Sequence, residues 1–404
     1  MLGGELVATG SDSCVFIPNF PCKRSGKVDK QRISKIIYSE DAKEESLEEK
    51  KMNDKIKKIK GYSSWAIIFD QFCKPLSKEI LMEYDEEGLN DCIGDNTYIQ
   101  DNFNKNSYMM NGVYGGETMD DYFYRTFETK KMSLQQINKS FLKLMEMMEP
   151  LFLGLKKMSE KKIIHNDIKS NNIVVHNGVF KYIDFGLAGV LSDKKHFKNR
   201  SQDELRSTRI YLYYPLEYLL YYATNSQLDD ELFFLETNNK RHNFNYLDSI
   251  HSIFGVNAKD IYYGTIYELR NKKVNENKMI KGIDVYSLGI LIPLLFLRTN
   301  LSLKLEDSQM ILDFYNLFGM MITPLSKNRI SAEDAYKRFK LLFNKYKKGW
   351  IQSPRKKRNI LQQRTKKRKK VNKRRTVVKQ KRNVNKRRTV VKQKRNVNKR
   401  RIFR

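Results

Sequence analysis

Cysteine is scarce in this chain of 404 residues, and its four cysteines are Cys14, Cys22, Cys73 and Cys92. Four cysteines are too few for a disulfide framework in so long a chain, and their spacing lacks the close pairs of a zinc site. We therefore expect reduced thiols in an intracellular protein. The first ten residues have no charged region followed by an apolar run, so we expect no secretory signal.

Long apolar runs are also lacking. The most apolar stretch, Ile290–Leu297, is too short to span a bilayer, so we expect no membrane partner. Hydrophobic residues nevertheless make up 40% of the chain and aromatic residues 12%, which is enough to bury a core. We therefore expect a chain that is globular, at least in part.

Acidic residues are absent from residues 355–404, which contain 26 Lys and Arg. The rest of the chain has 51 basic and 46 acidic residues, so most of the formal charge of +31 belongs to this tail. A 13-residue unit that begins at Val371 recurs there, and each unit has only three valines to bury. We therefore expect residues 351–404 to be disordered. The functional hypothesis for the tail is binding to nucleic-acid phosphates, and the alternatives are a solvated extension and a nuclear-import signal.

Two polar segments carry the strongest chemical signal. The first reads IHNDIKSNNIVV over residues 164–175, and the second is Asp184-Phe185-Gly186. An Asp with a Lys two residues later, an Asn five residues later and a second Asp after the next strand is the set that phosphoryl transfer uses. One carboxylate orients the hydroxyl nucleophile, while the other carboxylate and the amide hold magnesium.

These segments resemble the catalytic loop and the magnesium loop of eukaryotic Ser/Thr protein kinases. The resemblance implies that Asp167 is the catalytic base and that Lys169 supports the transferred phosphoryl group. It also implies that Asn172 and Asp184 bind Mg²⁺. Asn166 stands where the family usually has arginine, so the usual partner of a phosphorylated activation loop is missing.

The resemblance implies an α+β fold with two lobes, a small mostly-β N-lobe and a larger mostly-α C-lobe. Apolar residues three or four apart over Ile137–Met158 also predict a long buried helix. Glu217 and Arg329 resemble the family's buried ion pair, and Asp284 resembles the anchor of the catalytic loop. The predicted divisions are an N-lobe at 1–113 with an insertion at about 70–105, a C-lobe at 114–350 with an insertion at about 221–281, and a disordered basic tail at 351–404.

A turn near the N-terminus is the predicted phosphate-binding element. When Val15 is aligned with the valine of the family's glycine-rich loop, only Gly10 remains of its three glycines. Ala8 and Ser13 occupy the other two places. Backbone amides of small residues can still hold phosphates, so Gly10 and Val15 are predicted to contact the nucleotide.

A lysine and a glutamate should complete the nucleotide site in the N-lobe. Lys35 fits the strand lysine that contacts the α- and β-phosphates. Glu49 fits its glutamate partner, because Met52 and Ile56 lie at the offsets expected for the buried face of a helix. The competing candidates are Lys27 and Lys30 for the lysine and Glu45 and Glu48 for the glutamate.

Two segments compete for the hinge that binds adenine through backbone groups. Leu81–Tyr84 is one, and Met109–Glu117 is the other. We favour the second, because it matches the family's strand, linker and Gly-Gly-Glu pattern and lies closer to the catalytic loop. The residues implied are Met110 as gatekeeper, Asn111 and Val113 as backbone contacts, and Glu117 as a ribose ligand.

The sequence therefore predicts a Ser/Thr protein kinase that uses ATP and Mg²⁺ and acts on protein substrates. Ser-Lys-Ile at 34–36 and Tyr-Gly-Gly-Glu-Thr at 114–118 resemble kinases of large nucleocytoplasmic DNA viruses. That narrower resemblance implies the host cytoplasm, the nucleus or the virion as location. The alternative is a catalytically weak pseudokinase scaffold that binds nucleic acid through residues 355–404. A small-molecule kinase ranks third, since it has little use for Glu217, Asp284 and Arg329.

Overall fold

A computed structural model describes residues 4–10, 12–24, 26–94, 97–127, 132–207, 209–237, 243–299 and 308–351. The predicted disorder of the basic tail concerns residues outside these ranges, apart from Ile351. Met1–Tyr346 make up one compact unit. The second unit, Lys347–Arg404, is described only to the end of the helix that reaches Ile351.

An antiparallel sheet forms most of the N-terminal lobe. Its five strands are β1 (Glu5–Thr9), β2 (Ser13–Ile17), β3 (Arg32–Tyr38), β4 (Phe69–Cys73) and β5 (Ser107–Val113). Their spatial order is β1-β2-β3-β5-β4. Strand β3 carries three isoleucines, which suit a pleated and half-buried surface. Its register places Lys35 between Val15 of β2 and Met110 of β5, in the middle of the sheet.

Four helices accompany this sheet. Helix α1 (Ala42–Lys57) buries the face that contains Met52, Ile56 and Glu49. The predicted insertion contains β4 and the helices α2 (Lys78–Met82), α3 (Glu86–Ile93) and α4 (Thr97–Asn106). The cluster that these three helices complete joins Leu81, Leu89 and Phe103 to Phe16, Ile36 and Met109. Each short helix buries only a few apolar residues, so the sequence shows little periodicity there.

The four cysteines form two disulfide bonds, so the prediction of reduced thiols is wrong. Cys14 of β2 bonds to Cys92 of α3 with Cα atoms 5.8 Å apart, and Cys22 bonds to Cys73 of β4 with Cα atoms 6.0 Å apart. The partners are separated by 78 and 51 residues in sequence. Only the docking of the insertion on the sheet brings them together, which spacing in the sequence does not reveal. An intracellular location loses the support that free thiols gave it.

The C-terminal lobe is larger and mainly helical. Its short strands are β6 (Ile163–Ile164), β7 (Ile173–His176), β8 (Val179–Tyr182) and β9 (Gly189–Val190). Strand β6 pairs with β9, and β7 pairs with β8. Its helices are α5 (Met119–Phe127), α6 (Leu134–Glu160), α7 (Lys194–Arg206), α8 (Leu216–Leu220), α9 (Asn225–Glu236), α10 (Phe244–Ile253), α11 (Ala258–Arg270), α12 (Glu276–Arg298), α13 (Gln309–Met321) and α14 (Ala332–Ile351). The predicted α+β fold with a small sheet lobe and a larger helical lobe is confirmed.

Two long helices lie at the centre of this lobe. Helix α6 begins at a capping box formed by Ser133 and Gln136, and it buries the apolar face predicted over Ile137–Met158. Helix α12 is long and apolar enough to cross a membrane by length and composition. However, 83% of its most apolar window is buried inside the fold, as in a core helix. Helices α9, α10 and α11 occupy the insertion predicted at about 221–281.

Candidate active site

Backbone hydrogen bonds to a buried carboxylate hold the segment between β6 and β7. Asp284 of α12 accepts from the N–H of His165 at 2.7 Å and from the N–H of Asn166 at 2.9 Å. The His165 ring lies 3.1 Å from the carbonyl oxygen of Ile183, which ties this segment to the residue before Asp184. The predicted role of Asp284 as an anchor is confirmed.

The carboxylate of Asp167 is almost fully buried and has three donors around it. Lys169 Nζ lies 2.9 Å from Asp167 Oδ2, and Asn172 Nδ2 donates to the same oxygen at 2.7 Å. Tyr211 donates its hydroxyl to Asp167 Oδ1 at 2.5 Å. Burial, followed by the charge of Asp167, raises the pKa of Tyr211, so the tyrosine remains a neutral donor. Sequence reasoning did not identify Tyr211.

Lys35 forms a bridge between the two lobes. Its Nζ lies 2.9 Å from Asp184 Oδ1 and 3.5 Å from Glu49 Oε2. Burial alone would lower the pKa of Lys35, but the charges of Asp184 and Glu49 outweigh it and raise that pKa. Burial raises the pKa of Glu49, while the nearby lysine lowers the pKa of Asp184 in spite of its burial. The proton therefore stays on the lysine, and Asp184 stays ionised.

A cleft of about 470 Å³ lies between the lobes. The predicted residues that line it are Gly10, Val15, Lys35, Val113, Glu117, Lys169, Asn172 and Asp184. They come from the sheet, from the connection after β5, and from the segments on either side of β7 and β8. The turn between β1 and β2 is closed by a hydrogen bond from the N–H of Gly10 to the carbonyl of Ser13 at 2.6 Å.

Two of the predicted hinge residues are not on the wall of this cleft. Met110 packs in a cluster with Ile37 and Ala42, and Asn111 is fully buried. The Asn111 side chain accepts from the Ser34 hydroxyl at 2.6 Å and donates to the carbonyl of Phe20 at 3.0 Å. The competing segment Leu81–Tyr84 lies in and just after α2, on the insertion. The wall instead includes Gly112 and the residues from Tyr114 to Gly116.

The Gly-Gly pair after β5 is required by a close approach to β7. A Cβ on Gly116, which has φ +95°, would lie 2.5 Å from the carbonyl oxygen of Val175. A Cβ on Gly115 would lie 2.6 Å from a methyl group of Val174. The next residue, Glu117, accepts a hydrogen bond from Arg125 Nε at 3.2 Å, so this carboxylate already has a partner beside the cleft.

Comparison with known protein families gives one match. The model of the protein kinase domain matches residues 27–213, which is a little under half of the chain. The match supports a protein kinase. It includes β3, the connection after β5, the catalytic loop and the segment that begins at Asp184. No curated protein matches the chain.

The fold is a kinase domain with a five-stranded N-terminal sheet and a larger helical C-terminal part. A kinase domain implies ATP and proteins as substrates, and usually Mg²⁺. Beyond the matched residues, Glu217 of α8 lies 3.3 Å from Arg329, and each side chain is 1% exposed. The predicted ion pair is thus confirmed. Gly282 makes room for it, because a Cβ there would lie 2.6 Å from Arg329 Nη1.

The segment between β9 and α8 has its own links to the catalytic loop. Tyr214 donates its hydroxyl to the carbonyl of Asn166, and Arg200 Nε donates to the Tyr214 hydroxyl at 3.3 Å. Arg200 also pairs with Glu204 at 2.7 Å. Phe197 is fully buried beside them in α7. Tyrosine, arginine and phenylalanine side chains therefore hold this segment against the catalytic loop. The arginine that the family usually has in that loop is replaced here by Asn166.

Proposed function

We propose that this kinase domain transfers the γ-phosphate of ATP to serine or threonine hydroxyls of proteins. The observation that carries the proposal is the cleft that brings Lys35, Asn172 and Asp184 together, with Asp167 held at 2.7 Å from Asn172. These residues supply the cation, the two metal ligands and the base that phosphoryl transfer needs.

Asp167 is the group that would receive the proton of the acceptor hydroxyl. Its carboxylate is oriented by Lys169 and Asn172 on one oxygen, so the other oxygen faces the segment between β9 and α8. Tyr211 now donates to that second oxygen. An acceptor hydroxyl must therefore take the place of the Tyr211 hydroxyl, or share Oδ1 with it, before its proton can move to Asp167.

The residues beside the cleft fit a magnesium ion that is completed by phosphate oxygens. Across the described residues no group of three or more His, Cys, Asp or Glu could hold a metal by itself. Mg²⁺ with nucleotides is typically bound through one or two carboxylates and the phosphates, which matches a site made from Asp184 and Asn172. Bound Mg·ATP would supply the phosphoryl group and offset its charge. Lys35 would hold the α- and β-phosphates.

Lys169 supports serine and threonine as acceptors. It lies two residues after Asp167, the offset that resembles Ser/Thr kinases, and its ammonium group reaches the Asp167 carboxylate. A lysine at this position can neutralise the transferred phosphoryl group while the short acceptor side chain approaches the base.

A transfer assay with Mg·ATP on casein and on a basic peptide library tests the proposal. We expect Asp167→Asn to lower the rate by about 10²–10⁴-fold, because it removes the general base. Asp184→Asn should also abolish transfer, since it removes a metal ligand. Asp203→Asn makes the same chemical change at an exposed ion pair on α7 and should leave the rate unchanged.

Wild-type transfer no faster than that of Asp167→Asn would reject the enzyme and support a pseudokinase scaffold. Phosphoamino-acid analysis of the products tests the acceptor. Phosphotyrosine as the sole product would keep the kinase but overturn the assignment to serine and threonine.

A further inference from the structure

A second cavity, of about 620 Å³, shares no lining residue with the nucleotide cleft. Its charged wall consists of Lys55, Lys161, Lys162, Lys194 and Lys281, which we call the lysine groove. These lysines come from the end of α1, the turn after α6, the start of α7 and the first half of α12. Among the described residues, no acidic side chain lines the cavity.

Four of these lysines have no acidic partner in the described part of the chain. The side chains of Lys55, Lys161, Lys162 and Lys281 form no ion pair or hydrogen bond with any described residue. Several other lysines on helices do pair with an acid. The pairs with nitrogen–oxygen distances of 3.2 Å or less include those of Lys50, Lys51, Lys143, Lys157 and Lys345. Lysines that lie close together without acidic partners repel one another. Binding of an anion in the groove would relieve this repulsion.

The local structure increases this imbalance. Lys194 is the first residue of α7, where its positive charge opposes the helix dipole, and the acidic N-cap Asp193 is engaged by the N–H of His196. Its ammonium group donates to Asn277 Oδ1 at 2.6 Å, not to a carboxylate. Burial lowers the pKa of Lys194; the charge of Glu276 raises that pKa in part, and the charge of Lys281 lowers it again. Glu276 already accepts a hydrogen bond from the Tyr222 hydroxyl at 2.7 Å.

The lysine groove is also connected to the catalytic loop through the backbone. The carbonyl of Lys162 accepts from the N–H of Leu191 at 2.8 Å, and β6 begins at the next residue and leads directly to His165. Lys162 has φ 56°, which ends α6 in the left-handed region and fixes the direction of its backbone. The groove therefore stands on a rigid frame that continues into the residues of phosphoryl transfer.

We propose that the lysine groove binds a phosphorylated segment of a protein partner. A phosphate group carries about 1.5 to 2 negative charges and three acceptor oxygens, so one or two of them can satisfy several converging ammonium groups. Val190 and Leu191 also line the cavity and offer apolar contacts to neighbouring peptide side chains. A nucleic acid would need a basic track along its backbone, whereas these lysines surround one cavity. This binding does not depend on the proposed catalysis.

Binding of a fluorescent peptide with two phosphoserines to the full chain, without ATP at 0.15 M NaCl, tests the proposal. The triple variant Lys55→Gln, Lys161→Gln and Lys281→Gln should bind it about tenfold more weakly, because it loses three charge-assisted contacts. The matched control is the triple variant Lys43→Gln, Lys139→Gln and Lys259→Gln, which removes the same charge from scattered exposed sites. It should bind like the wild type. Equal weakening in the two variants would overturn the proposal.

The basic tail is present in every variant and could also bind the peptide. A measurement that resolves individual lysines distinguishes binding at the groove from binding at the tail. Acetylation of the wild-type full chain, analysed by mass spectrometry, should show the four unpaired groove lysines protected by the phosphopeptide. The unphosphorylated peptide should not protect them. If a single-stranded oligonucleotide protected them and the phosphopeptide did not, the ligand would be a nucleic acid and the proposal would be wrong.

Discussion

In the C-terminal lobe the groups proposed to act in phosphoryl transfer are side chains held by buried partners, whereas the N-terminal lobe is predicted to offer mainly backbone groups to the nucleotide. Asn172 donates a hydrogen bond to Asp167, and Asp284 accepts hydrogen bonds from the backbone of the loop that carries both residues. On the other side of the cleft, Gly10 closes a short turn through its backbone. Lys35 is the exception, since its ammonium group reaches Asp184.

This difference explains why the motifs are unequally preserved in the sequence. A carboxylate that accepts a proton cannot be replaced by another group, so the proposed base lies in a segment that matches the family in residue types and spacing. Backbone amides can be offered by many small residues, so the turn predicted to bind phosphate can match the family at only one of three glycines. The lobes also differ in their long-range links. The C-terminal lobe contains the buried pair of Glu217 and Arg329, and the N-terminal lobe contains two disulfides that join an insertion to its sheet.

The largest effect should come from breaking the buried ion pair of the C-terminal lobe. Arg329→Met leaves Glu217 buried with only the N–H of Ser326 as a donor. We expect the free energy of unfolding to fall by about 3–5 kcal/mol, as for other buried pairs that lose one partner. Urea unfolding measures it. Arg298→Met removes a half-exposed arginine 3.9 Å from Asp120, and should cost less than about 1 kcal/mol. Equal losses would mean that burial of the pair contributes nothing.

The disulfides should matter somewhat less, and only in the N-terminal lobe. Replacing Cys14 and Cys92 by serine should lower the free energy of unfolding by about 2–4 kcal/mol under oxidising conditions, because a long loop is released. In reducing buffer the wild type and the variant should become similar. The mass of the intact wild-type chain should be lower by four hydrogens than that of the reduced chain. A difference in stability that persists in reducing buffer would show that packing, not the bond, is responsible.

Acid should weaken the C-terminal lobe through a buried histidine. His251 of α10 is 2% exposed, and burial followed by the charge of Arg329 lowers its pKa to about 4. The folded protein therefore keeps a neutral imidazole, while the unfolded chain takes up a proton below its ordinary pKa of 6.5. Stability that is complete above pH 6.5 should be lost as pH falls towards 4, by about 2–3 kcal/mol at pH 4.5. The variant His251→Gln should lack this part of the pH dependence, and an unchanged slope would contradict it.

The smallest expected effect concerns the contact between Tyr211, in the segment between β9 and α8, and the proposed base Asp167. Tyr211→Phe removes the hydroxyl that donates to Asp167 Oδ1. We expect kcat/KM for a peptide substrate to rise by about threefold to tenfold, the equivalent of one hydrogen bond that the substrate no longer has to displace. A fall would instead show that Tyr211 orients the base. Tyr214→Phe is the matched comparison, because its hydroxyl donates to a backbone carbonyl and leaves Asp167 untouched.

Much of the candidate site in the C-terminal lobe was predictable because its residues lie close together in the sequence. The offsets from Asp167 to Lys169 and Asn172 lie within one loop, so the sequence shows them directly. The pairing of Glu217 with Arg329 was predictable only through resemblance to a family. The hinge stays a prediction: Val113 and Glu117 line the cleft, whereas Met110 and Asn111 do not. In a strand, successive side chains face opposite sides, and the sequence does not say which side meets the nucleotide.

By itself, the sequence determined the residue types that perform the proposed reaction, the long apolar helix that precedes them, and the separation of a basic tail from a nearly neutral domain. Only the tertiary structure decided which cysteines meet, that Tyr211 reaches Asp167, and that five lysines from four segments surround one cavity. The physical reason is distance along the chain. Local spacing encodes the geometry of a loop or a helix face, whereas contacts between remote segments depend on how those elements pack.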